Sequence, residues 1–247
     1  PRAAAMRADA YFRLDRFAAA GQAYEEALAA ANHAGVDSLA KRASAAIPIC
    51  YYRDAEAAVA ADSAAYAKHA ALFEKVATRW PAYEHADVAQ YRAGRAYLKA
   101  GAYDEAVRAL HALTQNFPGS EFARDAHLEM ARALEQQGRR ENAADALTEF
   151  ATRFEGDSSA ADALLQAADL YEAAGKTERA DATRLGYVRR FPADHETAME
   201  VYEALARREL KSVGPDRPLS SLLPAPVVPV PAAGRTRAAR AGIPAKK

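Results

Sequence analysis

Large aromatic residues recur along this chain at a fixed interval of 37: Trp80, Phe117, Phe154 and Phe191. Pro81, Pro118 and Pro192 follow three of them, and Glu155 stands in the remaining place. A period of about 20–50 residues marks a repeat architecture. Its unit cannot bury its apolar face alone and must stack on its neighbours.

Four blocks superpose at this interval: 56–81, 93–118, 130–155 and 167–192. Gly101, Gly138 and Gly175 share a column, with Ala64 in the first block. The glycines fall in a short gap between two helical patterns, where a left-handed backbone ends the first helix. Ala106, Ala143 and Ala180 share a second column early in the second helix, where a small side chain lets two helices approach. Val76, Leu113, Phe150 and Tyr187 lie seven positions further along the same face and are expected to fill the core. The aromatic–proline pair then closes the unit, because proline cannot continue a helix interior. The aromatic ring is expected to be largely buried beneath the next unit. Ser120, Asp157 and Asp194 share a further column and are predicted N-caps.

Each unit therefore reads as helix–turn–helix. Composition agrees: half the residues are hydrophobic, much of this alanine, the strongest helix former, and no alternating β-branched run reads as a strand. The expected fold is all-α, an α-solenoid (superhelix) of stacked pairs. Five pairs should lie between about residues 3 and 192, with a capping helix from about 195 to 211. An N-terminal unit with Ala8, Tyr11, Phe17, Ala20 and Tyr24 precedes these four, and the spacing from it to the 56–81 unit is 49, twelve more than the period, the extra residues lying within 32–52. Residues 36–61 are read as one elongated helix, kinked or interrupted near Pro48, with a small insertion as the alternative. The repeat domain is assigned to 1–212. Residues 213–247 carry seven of the twelve prolines and a net charge of +5, and are read as a Pro-rich basic tail, disordered or a linker.

The columns resemble the tetratricopeptide repeat. Gly94 and Tyr97, then Ala106 and Leu110, then Pro118 meet that pattern in one unit. The next unit departs, with Ala131 for glycine, Leu134 for tyrosine and Glu155 for proline. Long units ending in Phe-Pro before a small polar residue are similar to those of bacterial envelope proteins, such as the coordinator of the Tol–Pal system and the repeat lipoprotein of outer-membrane assembly. The resemblance implies a protein-binding scaffold in the periplasm or cell envelope, with the cytoplasm as the alternative. It also implies that the first helices line a concave groove receiving a protein or peptide.

On that face, Tyr91, Arg95 and Lys99, then Leu128 and Arg132, form lateral neighbours 37 apart. They are the expected partner site. Arg95 has no acid three or four residues away on its own helix. A neighbour such as Glu135 is one expected source, and the alternative is a groove whose basic, aromatic middle meets a charged peptide. Trp80, Phe117, Phe154, Phe191, Gly101, Gly138 and Gly175 are assigned to the structure between and within repeats.

Little else points to chemistry. No phosphate-binding loop, nucleophile elbow or dinucleotide fingerprint is present. The six histidines form no metal-binding pair, and Cys50 is a lone cysteine expected to be buried. Enzyme, metal and cofactor are not expected. The body is mildly acidic, which gives no support for nucleic-acid binding. No apolar run of about 18 residues reads as a membrane span. The chain begins at Pro1 and is read as a processed or truncated product. The competing reading is a repeat segment of a larger protein whose other domain carries the activity.

Overall fold

The computed structural model describes residues 1–191 and 194–213. Among them are eleven helices and no strand. They are α1 (Arg2–Arg13), α2 (Phe17–His33), α3 (Asp37–Ala61), α4 (Tyr66–Arg79), α5 (Ala86–Lys99), α6 (Tyr103–Asn116), α7 (Ala123–Gln136), α8 (Arg140–Arg153), α9 (Ala160–Ala173), α10 (Thr177–Arg190) and α11 (His195–Val213). Helices α1 to α8 form four helix-turn-helix pairs, and a turn at Gly175 joins α9 to α10. Pro192 and, from Gly214 on, the Pro-rich basic tail lie outside the described residues.

The chain divides into two compact units, 1–183 and 184–247. In the first, each helix packs on the next in chain order from α1 to α9. Nearest-neighbour packing of this kind makes an α-solenoid. The core columns are closed to water: Ala106, Ala143, Val76, Leu113 and Phe150 are fully buried. Gly94 shows how close the helices come. A Cβ there would stand 2.6 Å from Cδ2 of the buried Leu110.

The turn within a pair repeats in detail. Gly101, Gly138 and Gly175 take φ of 71°, 71° and 73°. The Gly101 N–H donates to the Leu98 carbonyl and the Ala102 N–H to the Tyr97 carbonyl, both at 3.0 Å. These two bonds are the Schellman pattern, which satisfies carbonyls that a helix end would leave unpaired. Asp15 holds the same conformation between α1 and α2, at φ 55°. Ala64 does not. There the chain leaves α3 in extended form at Asp62, whose Oδ1 accepts a bond from the Ala64 N–H at 3.0 Å.

The joint between pairs is two successive tight turns. The Ser120 N–H donates to the Phe117 carbonyl at 2.9 Å, and the Ala123 N–H to the Ser120 carbonyl at 3.1 Å. Asp157 and Ala160 repeat the pattern one period on. Ser120 and Asp157 are therefore not helix N-caps. They stand three residues before the helix and accept bonds from the Phe122 and Ser159 N–H groups.

The aromatic column at Trp80, Phe117, Phe154 and Phe191 is half-buried, short of the full burial of the core columns. Three of these residues cap helices where the chain swings out, with φ between −131° and −117°. The rings accordingly pack back on their own pair. Trp80 stacks on Tyr51 of α3 at 5.0 Å, and Phe154 lies 5.3 Å from Phe150 and 5.9 Å from His127. Phe154 adopts this geometry before Glu155, so proline alone does not impose it.

Helix α3 is continuous for 25 residues and passes through Pro48 without interruption. Cys50, in the same stretch, is fully buried. Burial pushes its thiol up to about 12, so it is no nucleophile at neutral pH.

The second unit holds the end of α10 and α11. The Tyr187 ring is buried, lies 5.5 Å from Phe191, and its hydroxyl donates to Asp194 Oδ2 at 2.6 Å. Asp194 Oδ1 accepts from the Thr197 N–H, so this member of its column is an N-cap for α11.

Candidate functional site

A groove of about 710 Å³ opens beside α5 in the first unit. Three elements wall it. The end of α3 and its following turn supply Glu56, Val59, Ala60 and Ser63; α4 supplies Tyr66, His69 and Phe73. From α5 come Val88, Tyr91, Arg92, Arg95, Ala96 and Lys99, and Phe122 closes the far side from the joint before α7.

The predicted stripe Tyr91, Arg95 and Lys99 thus lines one groove, as four-residue spacing on a helix requires. Leu128 and Arg132 of α7, half-buried and exposed, are not among its lining residues. Tyr91 is buried because Phe122 stacks on its ring at 4.8 Å. Its hydroxyl donates to Oε1 of Glu129 at 3.3 Å, and burial pushes its own ionisation up to about 12.

The acid that meets Arg95 is Glu129 of α7, not Glu135. The Arg95 Nε stands 3.4 Å from Glu129 Oε1, and its guanidinium lies 5.7 Å from the Tyr91 ring. Arg132 also acts on the Glu129 charge. One internal carboxylate therefore serves both arginines, though its Oε2 is buried with no hydrogen-bond partner. Burial raises the Glu129 carboxyl above its usual range despite these neighbours.

The cations of the groove differ in how they are held. Arg92 pairs with Glu56 at 2.9 Å and lies over the Tyr52 and Phe73 rings, each at 5.4 Å. Lys99 meets no carboxylate among the described residues; its Nζ sits 5.6 Å from the Tyr66 ring. His69, also in the lining, is 2% exposed, and its Nε2 has no hydrogen-bond partner. The wall thus presents three cations, one carboxylate, four aromatic rings and an unsatisfied imidazole nitrogen.

Sequence reasoning missed Val59, Tyr66, His69, Phe73 and Phe122. Tyr66, His69 and Phe73 lie at i, i+3 and i+7, a readable stripe on α4. Phe122 sits in a joint, where no helical period exists to reveal its direction.

Family models of the tetratricopeptide repeat match residues 1–33, 88–120, 125–156 and 162–192, together just over half of the chain. The chain belongs to the tetratricopeptide-repeat family. The matches pass over residues 34–87, which hold α3 and α4. Solved structures similar to this tetratricopeptide-repeat chain include PilW, titled a widely conserved type IV pilus biogenesis factor. It is 18% identical with a TM-score of 0.41, covering 81% of this chain and 97% of that one. MamA AMB-1 is 17% identical with a TM-score of 0.39, covering 78% and 90%. A STAND ATPase with a tetratricopeptide-repeat sensor from Pyrococcus horikoshii is 15% identical with a TM-score of 0.44, covering 89% and 34%. No curated protein matches the chain. Tetratricopeptide repeats are protein-interaction scaffolds. Among the described residues no helix is long and apolar enough to cross a membrane, and no group of three acids, histidines or cysteines is placed to hold a metal.

Proposed function

We propose that this chain is a non-enzymatic scaffold in a bacterial cell-envelope assembly. It captures a protein or peptide on the face of α5 and α7 where Tyr91, Arg95, Lys99, Leu128 and Arg132 lie. The observation that carries this reading is the groove beside α5, with its aromatic walls and a lysine that meets no internal carboxylate. Aromatic and arginine side chains concentrate binding energy when a partner excludes water from them. The envelope placement is supported by the long Phe-Pro units quoted above.

Capture of the native partner from the source cells tests the reading. Charge reversal at Arg95 and Arg132 together should reduce recovery at least tenfold, with circular dichroism unchanged. Equal recovery by parent and variant would remove this face as the site. Fractionation of the source cells should place the full-length product in the envelope, and a purely cytoplasmic product would overturn that part.

A further inference from the structure

The last turn and a half of α3 has no evident task in the core. Every fully buried residue of α3 lies between Ala43 and Ala55, yet the helix runs on to Ala61. Val59 is 37% exposed, one of the few large apolar side chains so open. This overhang borders two openings. Glu56, Val59 and Ala60 line the large groove; Glu56, Ala57 and Ala60 line a second of about 430 Å³, together with Phe12, Asp15, Phe17 and Arg53. Helical geometry explains the division. Positions 56 and 60 lie one turn apart on a ridge, and 57 and 59 fall on opposite flanks of it.

We infer that the overhang Glu56–Ala61 is a docking wall, and that its occupant is an acidic linear segment of another protein carrying a bulky apolar side chain. The inference rests on the scaffold reading above and names the chemistry of the partner. Charge selects an acid: the large groove presents three cations against Glu56, and Glu56 is already bound to Arg92. Arg95 is held by Glu129, which leaves Lys99 as the cation available to an incoming carboxylate. The same argument excludes the chain's own 213–247 segment, which carries six cations against Asp216. The apolar anchor is selected by Val59, Tyr66, Phe73 and Phe122, which together form one apolar lining. His69 lies in the same lining, 2% exposed, and its Nε2 has no hydrogen-bond partner. A linear segment fits because Glu56 and Ala60 border both openings, so an extended chain laid across this ridge reaches the two in turn.

Fluorescence anisotropy with labelled dodecapeptides on a Gly/Ser background tests this on the whole chain. One probe carries three glutamates around a phenylalanine; the others carry the glutamates alone, the phenylalanine alone, or three lysines around a phenylalanine. The first should bind at least tenfold tighter than each of the rest. Lys99→Glu should weaken it at least tenfold, and Val59→Asp at least fivefold, with Lys99→Gln as the milder variant should the reversal disturb folding. Unchanged binding by Val59→Asp would remove the overhang from the site. Equal binding of the lysine probe, or doubling of molecular mass as protein concentration rises, would assign the groove to another occupant and overturn the inference. Failure of all four probes, while recovery of the native partner still depends on Arg95 and Arg132, would overturn this inference and leave the scaffold reading standing.

Discussion

Helices α5 to α9 and helices α1 to α4 solve the same packing problem by different means. In the first set every helix has 14 residues, and the joints before α7 and α9 share the same pair of turns. In the second set the helices have 12, 17, 25 and 14 residues, and the joint between α2 and α3 is a single glycine turn at Gly35, φ 65°. Both sets bury alanine columns and make chain-order contacts. Regularity is thus sufficient for a stack but not required by it. The irregular set spends its extra length on surface: the overhang of α3, with α4, supplies half the walls of the groove, and regular α5 supplies most of the rest.

The sharpest way to break the regular set is to remove a side chain from its core column. Phe150 is fully buried, so Phe150→Ala should destabilise by about 3–5 kcal/mol. The half-buried Phe117 of the cap column should cost only about 1–2 kcal/mol when cut to alanine, in proportion to the apolar area it covers. Urea unfolding of both variants measures the gap; equal losses would show that the caps carry as much as the core.

Close helix approach separates the two sets at their glycines. Gly94→Ala drives a methyl to 2.6 Å from the buried Leu110 and should cost about 1–3 kcal/mol despite the better helix propensity of alanine. Gly21→Ala meets the Tyr51 ring edge at 3.0 Å and should cost less than about 1 kcal/mol. Thermal midpoints that fall in the reverse order would show the packing to be tighter in the irregular set. The turns separate them again, in opposite senses. Gly138→Ala puts a Cβ on a left-handed backbone and should cost about 1–2 kcal/mol, whereas Asp15→Gly, relieving the same strain between α1 and α2, should gain up to about 1 kcal/mol.

The period, the helix pairing and the φ > 0 glycines were legible in the sequence because each follows from local rules. Gly101, Gly138 and Gly175 had only one conformation to supply at a helix end. That Trp80 and Phe154 pack on Tyr51 and His127 of their own pairs was not legible, since it depends on how far the chain swings at each cap. Nor was the partner of Arg95: Glu129 and Glu135 are both acids on α7, and only the packing of α5 on α7 chooses between them. Tyr91, Arg95 and Lys99 could be placed on one face by spacing. Their opposite wall, at Val59, Tyr66 and Phe73, depends on where α3 ends, and the broken register hid that end.

Acid should act on the regular set through His127. Its imidazole is fully buried with both nitrogens lacking hydrogen-bond partners, and burial lowers its pKa below the ordinary 6.5. Glu149 favours its charged form, whereas Arg153 and His111 oppose it. Above pH 6.5 both the folded and unfolded imidazoles are neutral. Below it the unfolded chain takes up a proton that the folded one resists, so stability falls until the pH reaches the lower folded value. Urea midpoints at pH 8 and pH 5 should differ more for the parent than for His127→Phe. The smallest effect belongs to the overhang: Val59→Asp should change stability by no more than about 0.5 kcal/mol, because nothing beyond Ala55 is fully buried. A larger loss would place the overhang in the core after all.

Pro48, buried in the middle of α3, has a consequence for the order in which the chain assembles. A proline in a helix interior removes one backbone hydrogen bond and costs about 3 kcal/mol of intrinsic helix stability. Helix α3 is therefore a poor helix on its own and takes shape only when α2 and α4 pack against it. Helices α5 to α9 carry no proline and can nucleate locally. Assembly is then expected to begin among the uniform helices and to recruit α3 late, an order that folding rates of core variants in α3 and α7 would test. In the native state its amides around Cys50 are expected to exchange with solvent sooner than those in the middle of proline-free α5, which native-state hydrogen exchange would measure.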